Sequence, residues 1–174
     1  MKKRWVPIFQ ILIAIAAVAL IVFVQIKNRP APRPMDYQAI SVANGETVAL
    51  KSYAGSPILI TAWTLDCTDC KENLNNLQQI WQTRGSKGLI TLAVNVSPTD
   101  TDAAIQAFAA QAGLNIPIWH DKSNQYASIF KTTKIPNSLL IDRKGAVNAS
   151  WDGVPYYQSE MIILAIDFVI NSSP

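Results

Sequence analysis

Cys67 and Cys70 are the two cysteines of this 174-residue chain, and they stand as C-x-x-C within Trp63-Thr64-Leu65-Asp66-Cys67-Thr68-Asp69-Cys70. Two thiols at this spacing can trade an electron pair with a foreign disulfide, one sulfur attacking and the other closing an intramolecular bond. The attacking group must be a thiolate, so something must stabilise it. The flanking sequence supplies that. The run Pro57-Ile58-Leu59-Ile60-Thr61-Ala62 reads as a buried strand, apolar and rich in β-branched residues. From residue 71 to 84, Leu74, Leu77, Ile80 and Trp81 recur at helical spacing. A C-x-x-C between a strand end and a helix start meets unpaired backbone N–H groups and the positive end of the helix dipole. The first cysteine is thus placed to hold a thiolate, and the helical turn brings the second sulfur within reach.

Two other uses of the pair are weaker on physical grounds. Zinc takes about four ligands, whereas the chain offers one histidine, His120, and no further cysteine. A purely structural disulfide across two intervening residues closes a tiny loop and constrains the unfolded chain little.

The elements that position the pair follow from patterning. Residues 5–26 are almost wholly apolar and long enough to span a bilayer as a helix. The bulky end of the run, Val22-Phe23-Val24-Gln25-Ile26, lacks the small residues of a signal-peptide cleavage site, so an uncleaved anchor is expected. It follows a basic tail, residues 1–4, and precedes a proline-rich basic linker, residues 27–34, which should be extended. Residues 35–174 make one domain-sized segment able to bury a core. A lone cysteine pair that cycles through a disulfide suits an oxidising compartment. The expected topology is single-pass, N-terminus inside, with the domain outside the cytoplasm. The net charge of +3 owes much to tail and linker. No stretch interleaves basic and aromatic residues, so nucleic acid is not an expected partner.

Within the domain, residues 37–43 and 47–50 flank Asn44-Gly45 and predict a hairpin. A second buried strand is expected at residues 89–96. Ser97-Pro98-Thr99-Asp100 then opens a helix that stops at Gly113. A short extended piece at residues 117–119, a helix at 124–131, strands at 138–142 and 146–151, and an apolar-faced helix at 158–170 complete the chain. This order implies an α/β sandwich around a mixed sheet.

At this level the domain resembles the thioredoxin superfamily, in the branch of membrane-anchored TlpA, ResA and cytochrome c maturation-type thiol–disulfide oxidoreductases. The resemblance rests on Ala62-Trp63 before the C-x-x-C, Val94-Asn95-Val96, His120-Asp121, and Lys134-Ile135-Pro136-Asn137-Ser138-Leu139-Leu140-Ile141-Asp142-Arg143-Lys144-Gly145. It implies a thioredoxin fold: a central mixed sheet flanked by helices, with an N-terminal hairpin and an inserted βα element. It implies a cis Pro136 beside the disulfide, with Ile135 offering its backbone to a substrate peptide and Trp63 near it. Cys67 becomes the attacking thiol and Cys70 the resolving one. Partners would be proteins with cysteines or disulfides, including envelope proteins and apocytochromes, together with a membrane electron donor. The resemblance also implies a bacterial cytoplasmic membrane with the domain on its periplasmic side, and no cofactor or metal.

This sequence departs from the family at several positions. Asp66 stands where thioredoxins usually carry tryptophan. Thr61 and Asn73 occupy positions where relatives carry a buried acid or a glutamate, which leaves Asp66 or Glu72 as stand-ins for proton transfer. Asp66, Asp69 and Glu72 near the sulfurs disfavour a thiolate, and this points to a reductase over an oxidase. The alternative of another class is a copper-binding accessory module using Cys67, Cys70 and His120. A peroxide-reducing site ranks lower: Thr64 has the spacing to Cys67, but no supporting arginine is evident.

Overall fold

The computed structural model describes residues 5–27 and 33–173. These belong to two compact units divided between Pro32 and Arg33. The tail (1–4) and most of the linker (28–32) lie outside the described residues. The first unit is one helix, α1 (Trp5–Lys27), of 23 residues. Its side chains are described for residues 10–24 and are exposed all round, from Ile11 to Val24. Among the described residues no helix is long and apolar enough to cross a membrane. Residues 10–24 alone rise about 22 Å, short of the ~30 Å hydrocarbon layer.

The second unit is built on a seven-stranded sheet in the order β2-β1-β5-β4-β3-β6-β7. The strands are β1 (Gln38–Ser41), β2 (Thr47–Ala49), β3 (Ile58–Trp63), β4 (Ile90–Asn95), β5 (Ile118–His120), β6 (Asn137–Ile141) and β7 (Val147–Asp152). The helices are α2 (Thr68–Arg84), α3 (Asp102–Gln111), α4 (Gln125–Phe130) and α5 (Glu160–Asn171). α2 and α3 serve as crossovers that leave β3, β4 and β5 parallel, while β6 runs antiparallel to β3 and β7 to β6. The expected mixed sheet, hairpin and inserted βα element are all present. Gly45 takes φ +74° in the hairpin turn, a conformation that glycine adopts without a Cβ penalty.

β3 is central and buried along its whole length, which is why it reads as a continuous apolar run rather than an alternating one. Its alternate side chains feed two cores. Leu59 and Trp63 pack under α2, α3 and α5 with Leu74, Leu77, Ile105 and Ile166. Ile58, Ile60 and Ala62 face the other layer with Tyr37, Trp119 and Tyr126. The polar Thr61 is the exception on the first face, and it lies toward the strand's carboxyl end.

Two helix starts differ from expectation. α2 begins at Thr68, because Cys67 itself is the N-cap. α3 begins at Asp102 after the Thr101 cap, because Ser97 to Asp100 are held in a hydrogen-bonded loop instead.

Candidate active site

β3 ends at Trp63, and a tight turn, with the Cys67 N–H donating to the Thr64 carbonyl at 3.4 Å, delivers the chain to α2. Cys67 has extended backbone (φ −88°, ψ 109°) and its Sγ accepts the Cys70 N–H at 3.2 Å. A sulfur therefore takes the place of the usual oxygen cap on an orphan helix donor. The two cysteines are joined, S–S 2.07 Å with Cα atoms 5.3 Å apart. Cys67 is half-buried and Cys70 fully buried, so an incoming thiolate or disulfide can reach only the first sulfur.

The turn is fixed from outside. One carboxylate oxygen of Asp100, in the loop after β4, accepts the Leu65 N–H at 2.9 Å and the Asn95 Nδ2 at 2.7 Å. Asn95 in turn accepts the Ser97 N–H through Oδ1 at 3.0 Å. By its place in Ser97-Pro98-Thr99-Asp100, Asp100 is expected at a helix start, and it is not there. Its role rests on a contact far along the chain, and the Ser-Pro-Thr-Asp composition carries no signal for that.

The Ile135–Pro136 bond is cis. Asn137 lies opposite Ala62, so Pro136 is level with the carboxyl end of β3, where the cysteines follow. The Pro136 carbonyl accepts the Gly153 N–H at 2.8 Å, whereas no hydrogen bond among the described residues engages the backbone of Ile135. Ile135 is also an exposed apolar side chain. Asn137 secures the strand start, donating to Asp152 at 2.9 Å and accepting from the Tyr126 hydroxyl at 3.2 Å.

Beneath the disulfide lies a buried neutral polar cluster that converges on Ser138 Oγ. Thr61 Oγ1 is 2.9 Å away, the Asn73 Nδ2 donates at 3.2 Å and the Tyr157 hydroxyl at 2.9 Å. All four side chains are buried. Burial raises the Tyr157 phenol above its ordinary range, partly offset by its hydrogen bonds to Ser138 and Thr61. Thr61 and Asn73 stand out in the sequence as departures. Ser138 and Tyr157 do not, since they read as strand and rim residues.

Several expected roles change. Trp63 is fully buried, its ring 5.1 Å from Phe108, so it supports the site from below and cannot touch a substrate. Glu72 is exposed two residues after the buried Cys70, and residues two apart on a helix do not share a face, so it does not serve that sulfur. Asp66 is exposed and accepts the Thr64 hydroxyl at 2.6 Å. The His120 ring is buried and pinned at both nitrogens, by Asp102 at 2.6 Å and the Ser97 carbonyl at 3.0 Å. It is therefore unavailable as a copper ligand beside the cysteines. Among the described residues no group of three or more His, Cys, Asp or Glu is disposed to hold a metal. Arg84 pairs with Asp167, and Arg143 donates to the carbonyls of Gly55 and Ile170, so neither attends Cys67.

Comparison with known proteins agrees with this geometry. The AhpC/TSA family matches residues 31–150. A relative named thiol-disulfide oxidoreductase ResA, from Bacillus thuringiensis (strain Al Hakam), is 26% identical over 103 residues, covering 59% of this chain and 58% of the relative. The ResA of Oceanobacillus iheyensis is 24% identical over 157 residues, covering 84% of this chain and 81% of its own. The chain thus spans less than two thirds of the length of the first of these relatives. Among solved structures, a thiol:disulfide interchange protein of the thioredoxin family from Chlorobium tepidum TLS superposes with a TM-score of 0.67 at 18% identity, covering 82% of this chain and 98% of that one. StoA from Bacillus subtilis superposes at 0.61 and 22% identity, covering 72% and 92%. The fold is thioredoxin-like, and the chain belongs to the AhpC/TSA family.

Proposed function

We propose that this AhpC/TSA-family chain is a membrane-tethered thiol–disulfide oxidoreductase that works outside the cytoplasm and reduces disulfides of envelope proteins. The observation that carries this reading is the asymmetry of the pair: Cys67 is reachable and caps α2, while Cys70 is buried one turn on. In the reduced protein the Cys67 thiolate attacks one sulfur of a substrate disulfide. A mixed disulfide forms, and the other substrate sulfur leaves as a thiolate and takes up a proton. Cys70 then loses its proton and attacks Cys67 Sγ. This closes the intramolecular bond and releases the second substrate sulfur as a thiol. The substrate gains two electrons and two protons, and the protein loses them. The open backbone of Ile135 beside cis Pro136 supports docking of the substrate as a short added strand.

The reductive direction is supported by three exposed acids close to the cysteines in sequence, Asp66, Asp69 and Glu72, since negative neighbours disfavour a thiolate. A reductase of this kind requires a membrane electron donor to reopen its disulfide. The tether is supported by the sequence, in which residues 5–26 form an almost wholly apolar run of the length that spans a bilayer as a helix. Placement outside the cytoplasm is supported by a lone pair that cycles through a disulfide.

The test is trapping in the full chain. A Cys70→Ser variant incubated with a disulfide-bonded protein such as oxidised insulin is expected to accumulate a mixed disulfide through Cys67, while Cys67→Ser accumulates none. Trapping through Cys70 instead, or through neither, would overturn the assignment.

A further inference from the structure

The buried polar cluster beneath the disulfide is not fully satisfied. Asn73 is 0% exposed, yet its Oδ1 has no hydrogen-bond partner. Leaving a buried acceptor unpaired costs about 1–3 kcal/mol, so such an atom in a folded core calls for a reason.

Reversing the amide does not remove the defect. Ser138 Oγ carries one donor and two acceptor sites. The Tyr157 hydroxyl and the Asn73 Nδ2 fill both acceptor sites, so the Ser138 proton goes to Thr61 Oγ1. With the amide turned over, both Nδ2 protons would take the unpaired position, which leaves no fewer groups unpaired than the arrangement seen. In the structure the amide nitrogen lies on Ser138 and Oδ1 is the acceptor left over.

Asn73 follows Cys70 by three positions on α2, and residues three apart share a helix face about 5–6 Å from each other at Cβ. Both are fully buried. While the disulfide is closed, Cys70 Sγ carries no proton and has nothing to donate. When the S–S bond opens, Cys70 leaves as a thiolate and takes a proton, and its S–H becomes a donor on that face.

We propose that Asn73 is a redox-linked positioning residue, whose orphan Oδ1 accepts the Cys70 S–H in the dithiol form. This proposal rests on the thiol–disulfide reading above and adds to it. The oxidised protein carries the unpaired acceptor and the reduced protein does not, so Asn73 favours the dithiol. It also holds Cys70 as a neutral thiol in the mixed-disulfide stage. Resolution then waits on removal of that proton to solvent or to the departing substrate thiolate, since the cluster contains no carboxylate.

The experiment equilibrates the full chain in detergent with glutathione redox buffers and counts free thiols by alkylation, for wild type and Asn73→Leu. Leucine matches the volume but offers no acceptor. The variant is expected to shift the thiol–disulfide equilibrium toward the disulfide by about 5- to 10-fold, the lower part of the unpaired-acceptor range because S–H is a weak donor. A shift under twofold, or toward the dithiol, overturns the role of Asn73. A second readout does not need the leucine variant to fold. In reduced Cys67→Ser protein the S–H stretch of Cys70 is expected below that of a thiol in an apolar solvent, and a band at the free-thiol position overturns the proposal. A wild type that never equilibrates with glutathione strikes the oxidoreductase reading instead, and the S–H band still decides the contact.

Discussion

Two buried polar networks sit near the carboxyl ends of the central strands, and they are built in opposite ways. The one after β5 is charged and well paired. The Asp121 carboxylate is 1% exposed and accepts the N–H groups of Tyr126 at 2.6 Å and Gln125 at 3.1 Å and the Ser123 hydroxyl at 3.2 Å, which caps α4. Next to it, Asp102 and the Ser97 carbonyl occupy both nitrogens of His120. The network under the disulfide, made of Thr61, Asn73, Ser138 and Tyr157, is neutral and one partner short. The first fixes loops and helix starts, and any change of state would break it. The second lies beside the bond that opens and closes, and its missing partner is supplied by one of the two states.

Breaking the charged network should be the larger structural insult. Asp121→Ala strips the cap from two buried or half-buried N–H groups, and a loss of about 3–5 kcal/mol is expected in urea unfolding. Exchange activity per folded molecule should be unchanged. A matching loss of specific activity would show that this network reaches the cysteines after all.

Asp100 lies between the two networks and gives the sharper contrast. Asp100→Ala frees the Leu65 N–H and loosens the turn that sets Cys67 on the helix start. The rate of exchange with a small disulfide is expected to fall about tenfold, with a stability loss of about 1–2 kcal/mol. Asp100→Asn, which keeps an acceptor oxygen, should restore most of the rate. Equal loss in both variants would assign Asp100 a charge effect instead.

The smallest expected effect is on pH. Lys122 first, then His120, holds the Asp102 carboxyl below its ordinary range in the folded protein. A carboxyl depressed on folding stabilises the protein above its unfolded pKa, and that stability is lost as pH falls through the folded value. A modest decline in urea midpoint is therefore expected below about pH 4, the ordinary carboxylate range, and Asp102→Asn should flatten it. Because Asp102 is partly exposed, solvent screens the pair and keeps the effect small.

The sequence made the sheet, the helix faces and the reactive pair legible because each is written in short-range spacing. The apolar run before Cys67, the helical repeat after it and the Asn44-Gly45 turn all sit where patterning places them. What spacing cannot carry are side-chain contacts between distant segments. Asp100 reaching the Leu65 backbone, or Ser138 gathering Thr61, Asn73 and Tyr157, depends on how strands align, and strand register is a tertiary property. Trp63 differs from what the resemblance implies, because β3 is buried along its whole length. The resemblance gives it a place near the substrate, but its side chain packs in the core under α2 and α3.

The most direct measurement is the equilibrium of the full chain, in detergent, with glutathione and dithiothreitol buffers, followed by the state of Cys67 and Cys70. A single two-electron transition near the thioredoxin range, about −270 mV, is expected for a reductase fed through the membrane. A value near that of DsbA, about −120 mV, would reverse the direction proposed here, and the absence of any transition would contradict thiol–disulfide exchange itself.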